Sequence, residues 1–96
     1  MKGEAKLEAK FREKIKKAGG VAFKFVSPGY SGVTDRLVLI PGGTVVFVEL
    51  KDGNKSLSAL QVQFEKLIKF HGGHHEIIRT EADITEFIDK YFWHLG

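Results

Sequence analysis

The apolar positions switch between helical and strand spacing along the chain, and the switches mark out its elements. Leu7, Phe11, Ile15 and Ala18 recur at three- and four-residue intervals, which predicts a helix over residues 4–18. The glycines of "AGG" at 18–20 supply its stop. Val21, Phe23 and Phe25 alternate with Ala22, Lys24 and Val26, the period of a strand. "SPGYSG" at 27–32 has the composition of a loop. Residues 35–40, "DRLVLI", and 44–51, "TVVFVELK", read as two strands joined by the turn "PGG", and so short a connection makes them an antiparallel hairpin. After "DGNKS", helical spacing returns over 58–70 with Leu60, Phe64, Leu67 and Ile68 on one side, ended by "HGG". Residues 74–80, "HHEIIRT", read as a fourth strand. Thr80 then caps a last helix carrying Ile84, Phe87, Ile88 and Tyr91. The order α-β-β-β-α-β-α belongs to the α/β class, a mixed sheet flanked by helices. Its strand–helix–strand step predicts a parallel pair of strands three and four. Without repeats, low-complexity tracts or linkers, residues 1–96 are expected to form one domain.

Composition narrows the class. Hydrophobic residues at 43% and charged residues at 28% are a globular balance, not a disordered one. The absence of cysteine removes disulfides and thiolate zinc sites. No apolar run approaches membrane-spanning length, and "MKGEAKLEAK" contains no signal-peptide core. We therefore expect an intracellular, cytoplasmic protein with no membrane partner. The net charge of +3 is unevenly spread. Residues 1–17 carry seven Lys or Arg against three Glu, so +4, and the remainder carries −1. A basic first helix is either a solvated face or a surface for phosphates.

Candidate chemistry sits at the end of the third expected strand. Glu49 and Lys51 are two positions apart and therefore share a face. In an antiparallel hairpin the start of one strand lies beside the end of the other, so Asp35 converges on them. Two carboxylates and an ammonium in one place suit a hard cation such as Mg²⁺ or Mn²⁺, usually held by one or two carboxylates together with substrate phosphate. The Leu50 carbonyl between them is a further oxygen ligand. The lysine beside such an ion orients water and offsets charge on phosphate oxygens. Asp35, Glu49 and Lys51 are thus the minimum set for metal-assisted phosphodiester hydrolysis. The competing reading is a plain ion pair at a strand end.

The stretch "SGVTDRLVLIPGGTVVFVELKDGNKSLSALQ" resembles the virus-type replication–repair nuclease (VRR-NUC) family of the PD-(D/E)XK nuclease superfamily. That family has a Gly-x-Pro-Asp element, a hairpin, an apolar strand ending in Glu-x-Lys, and then Leu-Ser-x-x-Gln. Gly32, Asp35, Glu49, Lys51, Leu57, Ser58 and Gln61 match, and Thr34 stands where the family has proline. Threonine is strand-compatible and supplies no required ligand. The resemblance implies a PD-(D/E)XK nuclease-like fold and catalytic roles for Asp35, Glu49, Lys51 and Gln61. It also implies a metal site of Glu8, Asp35, Glu49 and the Leu50 carbonyl. Spacing alone does not separate Glu8 from Glu4, one turn away on the first helix; the resemblance selects Glu8, whose other obvious partner is Arg12 at i+4. Gln61 has two readings, since Ser58-x-x-Gln61 is also a capping box.

The resemblance to small stand-alone phage and bacterial members further implies an endodeoxyribonuclease for branched DNA, four-way Holliday junctions in particular. Such a protein would work as a homodimer, as a phage protein would inside a bacterial host. The rivals are a less structure-selective DNA nuclease and a non-catalytic nucleic-acid-binding module. Lys24, Tyr30 and Ser31 are candidate DNA contacts. His71, His74 and His75 cluster around a Gly-Gly pair without the spacing of a metal site, and His71 is placed to meet the carbonyls at a helix end. In "YFWHLG", at least one of Phe92 and Trp93 is expected in the core, leaving the other for an exposed patch.

Overall fold

Leu7, Phe11 and Ile15 are buried along one stripe of helix α1 (Gly3–Lys17), and its lysines point outward. The helix stops as expected: the Gly20 N–H reaches back to the Ile15 carbonyl and the Gly19 N–H to that of Lys16. Strands β1 (Val21–Lys24), β2 (Arg36–Leu39) and β3 (Val45–Leu50) then form an antiparallel meander. Helix α2 (Ala59–Phe70) returns the chain so that β4 (His74–Ile78) lies parallel to β3, and helix α3 (Glu81–Phe92) closes the fold. This computed structural model describes residues 3–93. The sheet order is β1-β2-β3-β4. Both later helices open on capping boxes, Ser58 with Gln61 and Thr80 with Asp83.

Element order and strand directions are those expected, and the differences lie at the ends. Strand β1 stops at Lys24 rather than Val26, although the Phe25 N–H still donates to the Asp35 carbonyl at 2.9 Å. Strand β4 stops at Ile78 because the N–H groups of Arg79 and Thr80 turn to the Asp83 carboxylate that opens α3.

Alternation along the strands divides the sheet into two unlike faces. Val38, Ile40, Val46, Val48, Leu50 and Ile78 point to one face and are closed over by Phe11 and Ile15 of α1 and Ile84 and Phe87 of α3. Phe11 meets Phe87 edge-on at 5.4 Å. Each such fully buried side chain contributes about 1.5–3 kcal/mol relative to exposure. The opposite face carries an aromatic cluster in which Phe64 of α2 stacks among Phe25, Phe47 and Tyr30. Here the expected apolar stripe of α2 is buried only at its centre. Phe64 is covered, Ile68 is half-buried, and Leu60 and Leu67 remain exposed because α2 meets the sheet mainly over β4. Val21, Phe23 and Leu39 are also exposed on this side. At the C-terminal end Phe92 is buried and Trp93 exposed; residues 94–96 of "YFWHLG" lie outside the described residues.

Candidate active site

The site is built where β2 begins and β3 ends. The pairing of Arg36 with Val48 sets Asp35 beside Glu49. Asp35 is fixed twice, its carbonyl accepting from Phe25 and its Oδ2 accepting from the Leu50 N–H at 2.9 Å. The N–H and C=O of one strand residue point to the same side, so the Leu50 carbonyl also faces the Asp35 side. Thr34 explains itself here: its buried hydroxyl donates to the Arg36 carbonyl at 3.2 Å, tying down the entry to β2.

Glu49 is only 3% exposed. Its Oε2 accepts from Gln61 Nε2 at 3.0 Å and lies 4.0 Å from Lys51 Nζ. Its Oε1 is buried without a hydrogen-bond partner. Burial, and then the neighbouring Asp35 carboxyl, push the Glu49 carboxyl up to about 8, and Lys51 only partly opposes them. A buried carboxylate with one unpartnered oxygen, facing a second carboxylate, is a pair that calls for a cation.

Gln61 completes the capping box and reaches Glu49 at the same time. Its Oε1 accepts from the Ser58 N–H at 2.9 Å, completing the capping box, while its Nε2 holds Glu49. The two ends of one amide serve the two partners, so cap and site do not compete. Gly32 sets the neighbouring loop. It has φ +82°, and a Cβ there would lie 2.5 Å from the Leu60 carbonyl, so only glycine lets loop 27–33 close on the first turn of α2.

The first helix reaches this end less directly. Glu8 pairs with Arg36 rather than with Arg12, and the Arg36 side chain is almost wholly buried. Glu4 is the helix acid whose charge adds to the upward push on Glu49. Its neighbour Gly3 packs on Asp52, whose carboxylate would be 2.7 Å from a Cβ at that position. Among the described residues no three carboxylates or imidazoles gather as a group that could hold an ion between them. The structure therefore brings together Asp35, Glu49, Lys51, Gln61 and the Leu50 backbone, and leaves Glu8 in the grip of Arg36. Arg36 was missed in the sequence, although a signal was present: a charge on the same strand face as Val38 and Ile40 requires a partner.

The remaining candidates separate. Lys24 is exposed opposite Arg36, on the α1 side of the sheet. Tyr30 is half spent on the Phe64 ring, 5.9 Å away, and Ser31 is exposed in the loop. The three histidines do not converge. His71 Nδ1 meets the Leu67 carbonyl at 2.8 Å, His74 packs edge-on to Tyr91, and His75 is buried on the other face, 3.5 Å from Glu65. Burial holds the His75 imidazole below its usual range.

No family model matches the chain. The protein named "Putative nuclease p44" of Acyrthosiphon pisum secondary endosymbiont phage 1 is 36% identical to it over 85 residues, covering 88% of this chain and 90% of that protein. A solved structure of a "VRR_NUC domain" superposes on it with a TM-score of 0.88 and 25% identity, over 95% of this chain and 99% of that one. The chain is a small member of the VRR-NUC nuclease family. The VRR-NUC architecture accounts for the helix-first order and for the hairpin that sets Asp35 against Glu49. No helix among the described residues is long and apolar enough to cross a membrane.

Proposed function

We propose that the whole chain acts as one metal-dependent endodeoxyribonuclease domain that hydrolyses phosphodiester bonds in branched DNA, four-way junctions foremost. The observation that carries this reading is the buried Glu49 beside Asp35, its Oε1 without a hydrogen-bond partner while Gln61 and Lys51 attend its other oxygen. Mg²⁺ or Mn²⁺ fits this donor set: Asp35, Glu49 and the Leu50 carbonyl would hold it, because such ions need only one or two carboxylates and take water and substrate phosphate for the rest. When bound, the cation supplies Lewis-acid polarisation of a phosphoryl oxygen and a more acidic water. Glu8 enters the set only by leaving Arg36, and Glu4 is the helix acid better placed to influence it.

The chain's own groups do the positioning. The Leu50 N–H and the Phe25 N–H hold Asp35, and the Gln61 amide holds Oε2 of Glu49, leaving Oε1 as the oxygen for the ion. Lys51, partly buried beside Glu49, orients the attacking water and donates to the phosphate oxygens as charge builds on them. Lys24, Tyr30, Ser31 and the basic α1 contact the DNA backbone. The exposed Phe23, Leu39, Leu67 and Phe70 support a homodimer, which would present two sites to a junction. The setting is intracellular, in keeping with the phage relative.

The deciding experiment compares wild type with Glu49→Gln on a four-way junction and on linear duplex, with Mg²⁺ and with EDTA. Cleavage is expected only from wild type with the metal, and faster on the junction. Cutting that survives Glu49→Gln or EDTA would sink the reading. Equal rates on both substrates would leave a nuclease without structure selectivity.

A further inference from the structure

Helix α1 has two basic flanks, and they lead to different places. Arg12 and Lys16 line a groove beside Gly20, Val21 and Ala22 at the far end of the helix. Lys6 and Lys10, one turn apart, line a cleft of about 210 Å³ between α1 and the β4–α3 turn, together with Gly3, Leu7, Arg79 and Glu81. The second cleft adjoins the loop that follows Lys51. Its Gly3 wall rests on the carboxylate of Asp52, the residue after Lys51. Its Arg79 wall donates from Nη1 to the carbonyls of Gly53 at 3.0 Å and Lys55 at 2.6 Å. One loop, 51–58, thus carries Lys51 and also braces two walls of the cleft, Gly3 and Arg79. The residues Arg12 and Lys16 of the other groove lie six and ten positions beyond Lys6 on α1, roughly 9 and 15 Å at 1.5 Å per residue. A third cleft, between β4 and α3, has the wrong sign, being lined by Glu76, Asp83 and Glu86 against Lys90.

We propose, resting on the nuclease reading above, that the cleft of Lys6, Lys10 and Arg79 binds the backbone phosphates of the DNA strand leading into the site. Three cations face one acid in the lining, Glu81, with the Asp52 carboxylate behind the Gly3 wall. Glu81 is bound by Lys10 at 3.0 Å in an exposed pair, which exchanges readily for a phosphate. Lys10, with Lys14 and Lys6 beyond it, holds the Glu81 carboxyl below its usual range, so Glu81 is charged and occupies the place an anion would take. Arg79 keeps the rest of its guanidinium fork beyond Nη1, a geometry suited to phosphate oxygens.

The test is fluorescence-anisotropy binding of a labelled duplex, and of a four-way junction, without metal across a range of NaCl. Wild type is compared with Lys6→Ala/Lys10→Ala, Arg12→Ala/Lys16→Ala and Glu81→Gln, with melting temperatures to confirm folding. Each lost phosphate contact should flatten the slope of log K against log salt by about 0.9, so the Lys6/Lys10 variant should be flatter by about 1.8. The Arg12/Lys16 variant should change less, and Glu81→Gln should bind more tightly than wild type. A Lys6/Lys10 variant with the wild-type slope, or an equal loss from the Arg12/Lys16 pair, overturns the inference alone. Wild type that binds no DNA at low salt overturns the nuclease reading as well.

Discussion

The two faces of the sheet are built to different specifications. Towards α1 and α3, Val38, Val46, Val48 and Leu50 meet Phe11, Ile15 and Ile84, and every one of these side chains is sealed. Towards α2, the same strands present Phe47, Glu49 and His75 beneath a helix that covers only part of the surface. Glu49, with its unpartnered oxygen, and His75 sit on the face with the looser cover, whereas buried Arg36 on the closed side has Glu8 as its partner. Burial is the more complete on the closed face, while the open face keeps two carboxyl groups close enough for Asp35 to raise Glu49. Functional sites commonly hold such a local conflict that the rest of the fold offsets.

Variants can break this division at either face. The largest effect should come from Glu49→Gln on the open face. Single-turnover cleavage should fall by roughly 10³-fold or more, while the metal-free protein at pH 8 melts no lower than wild type. A large fall in melting temperature would show that Glu49 is a structural group. On the closed face, Phe11→Ala should cost towards the upper end of about 3–5 kcal/mol in urea unfolding, whereas Phe64→Ala, in the less fully covered cluster, should cost about 3. Equal costs would erase the contrast between the faces.

Acidity probes the same asymmetry. A carboxyl raised to about 8 makes the folded state hold its proton, so its stabilising contribution is complete below the ordinary value near 4.5 and is lost as pH rises through 8. Metal-free wild type should therefore lose melting temperature across that window, Mg²⁺ should restore it at the alkaline end, and Glu49→Gln should show neither effect. Parallel wild-type and Glu49→Gln curves would count against the assignment. His75 works in the opposite sense. Held neutral by burial, its contribution is present above its usual value near 6.5 and is lost as pH falls below it.

A smaller effect separates the two helix acids. Glu8→Gln removes the counter-charge of buried Arg36 and should cost about 1–2 kcal/mol, reduced from a fully buried pair because Glu8 is partly exposed. Glu4→Gln should leave stability unchanged and weaken Mn²⁺ binding measured by electron paramagnetic resonance; the reverse pattern would return Glu8 to the metal. Least of all, Phe70→Ser, at a side chain 85% exposed, should change monomer stability by under about 0.5 kcal/mol. If the chain forms the proposed dimer, sedimentation of that variant should show it weakened, and an unchanged profile would count against an interface at Phe70.

What was legible in the sequence was local. Periodicity placed the seven elements, the glycine pairs ended two helices, and the short turn placed Asp35 opposite Glu49. What was not legible depends on residues distant in the chain. Arg36 takes Glu8 across 28 positions, and no spacing rule on α1 foretells that partner. The stripe on α2 gave no measure of how much of it the sheet would cover. Gln61 posed a choice between cap and site only while its amide was counted as one group; in space its oxygen and nitrogen face different neighbours.

That amide has a practical use. Because a single planar group joins the Ser58 N–H to Glu49 Oε2, a change of charge at Glu49 is felt at a backbone proton at the mouth of α2. In an NMR titration the Ser58 resonance becomes a built-in gauge of what occupies the carboxylate, readable without substrate. Glutamate at position 61 could still accept from Ser58, but with both carboxyls ionised above pH 8 no proton would join it to Glu49, so there Gln61→Glu would disconnect the gauge while leaving the helix capped.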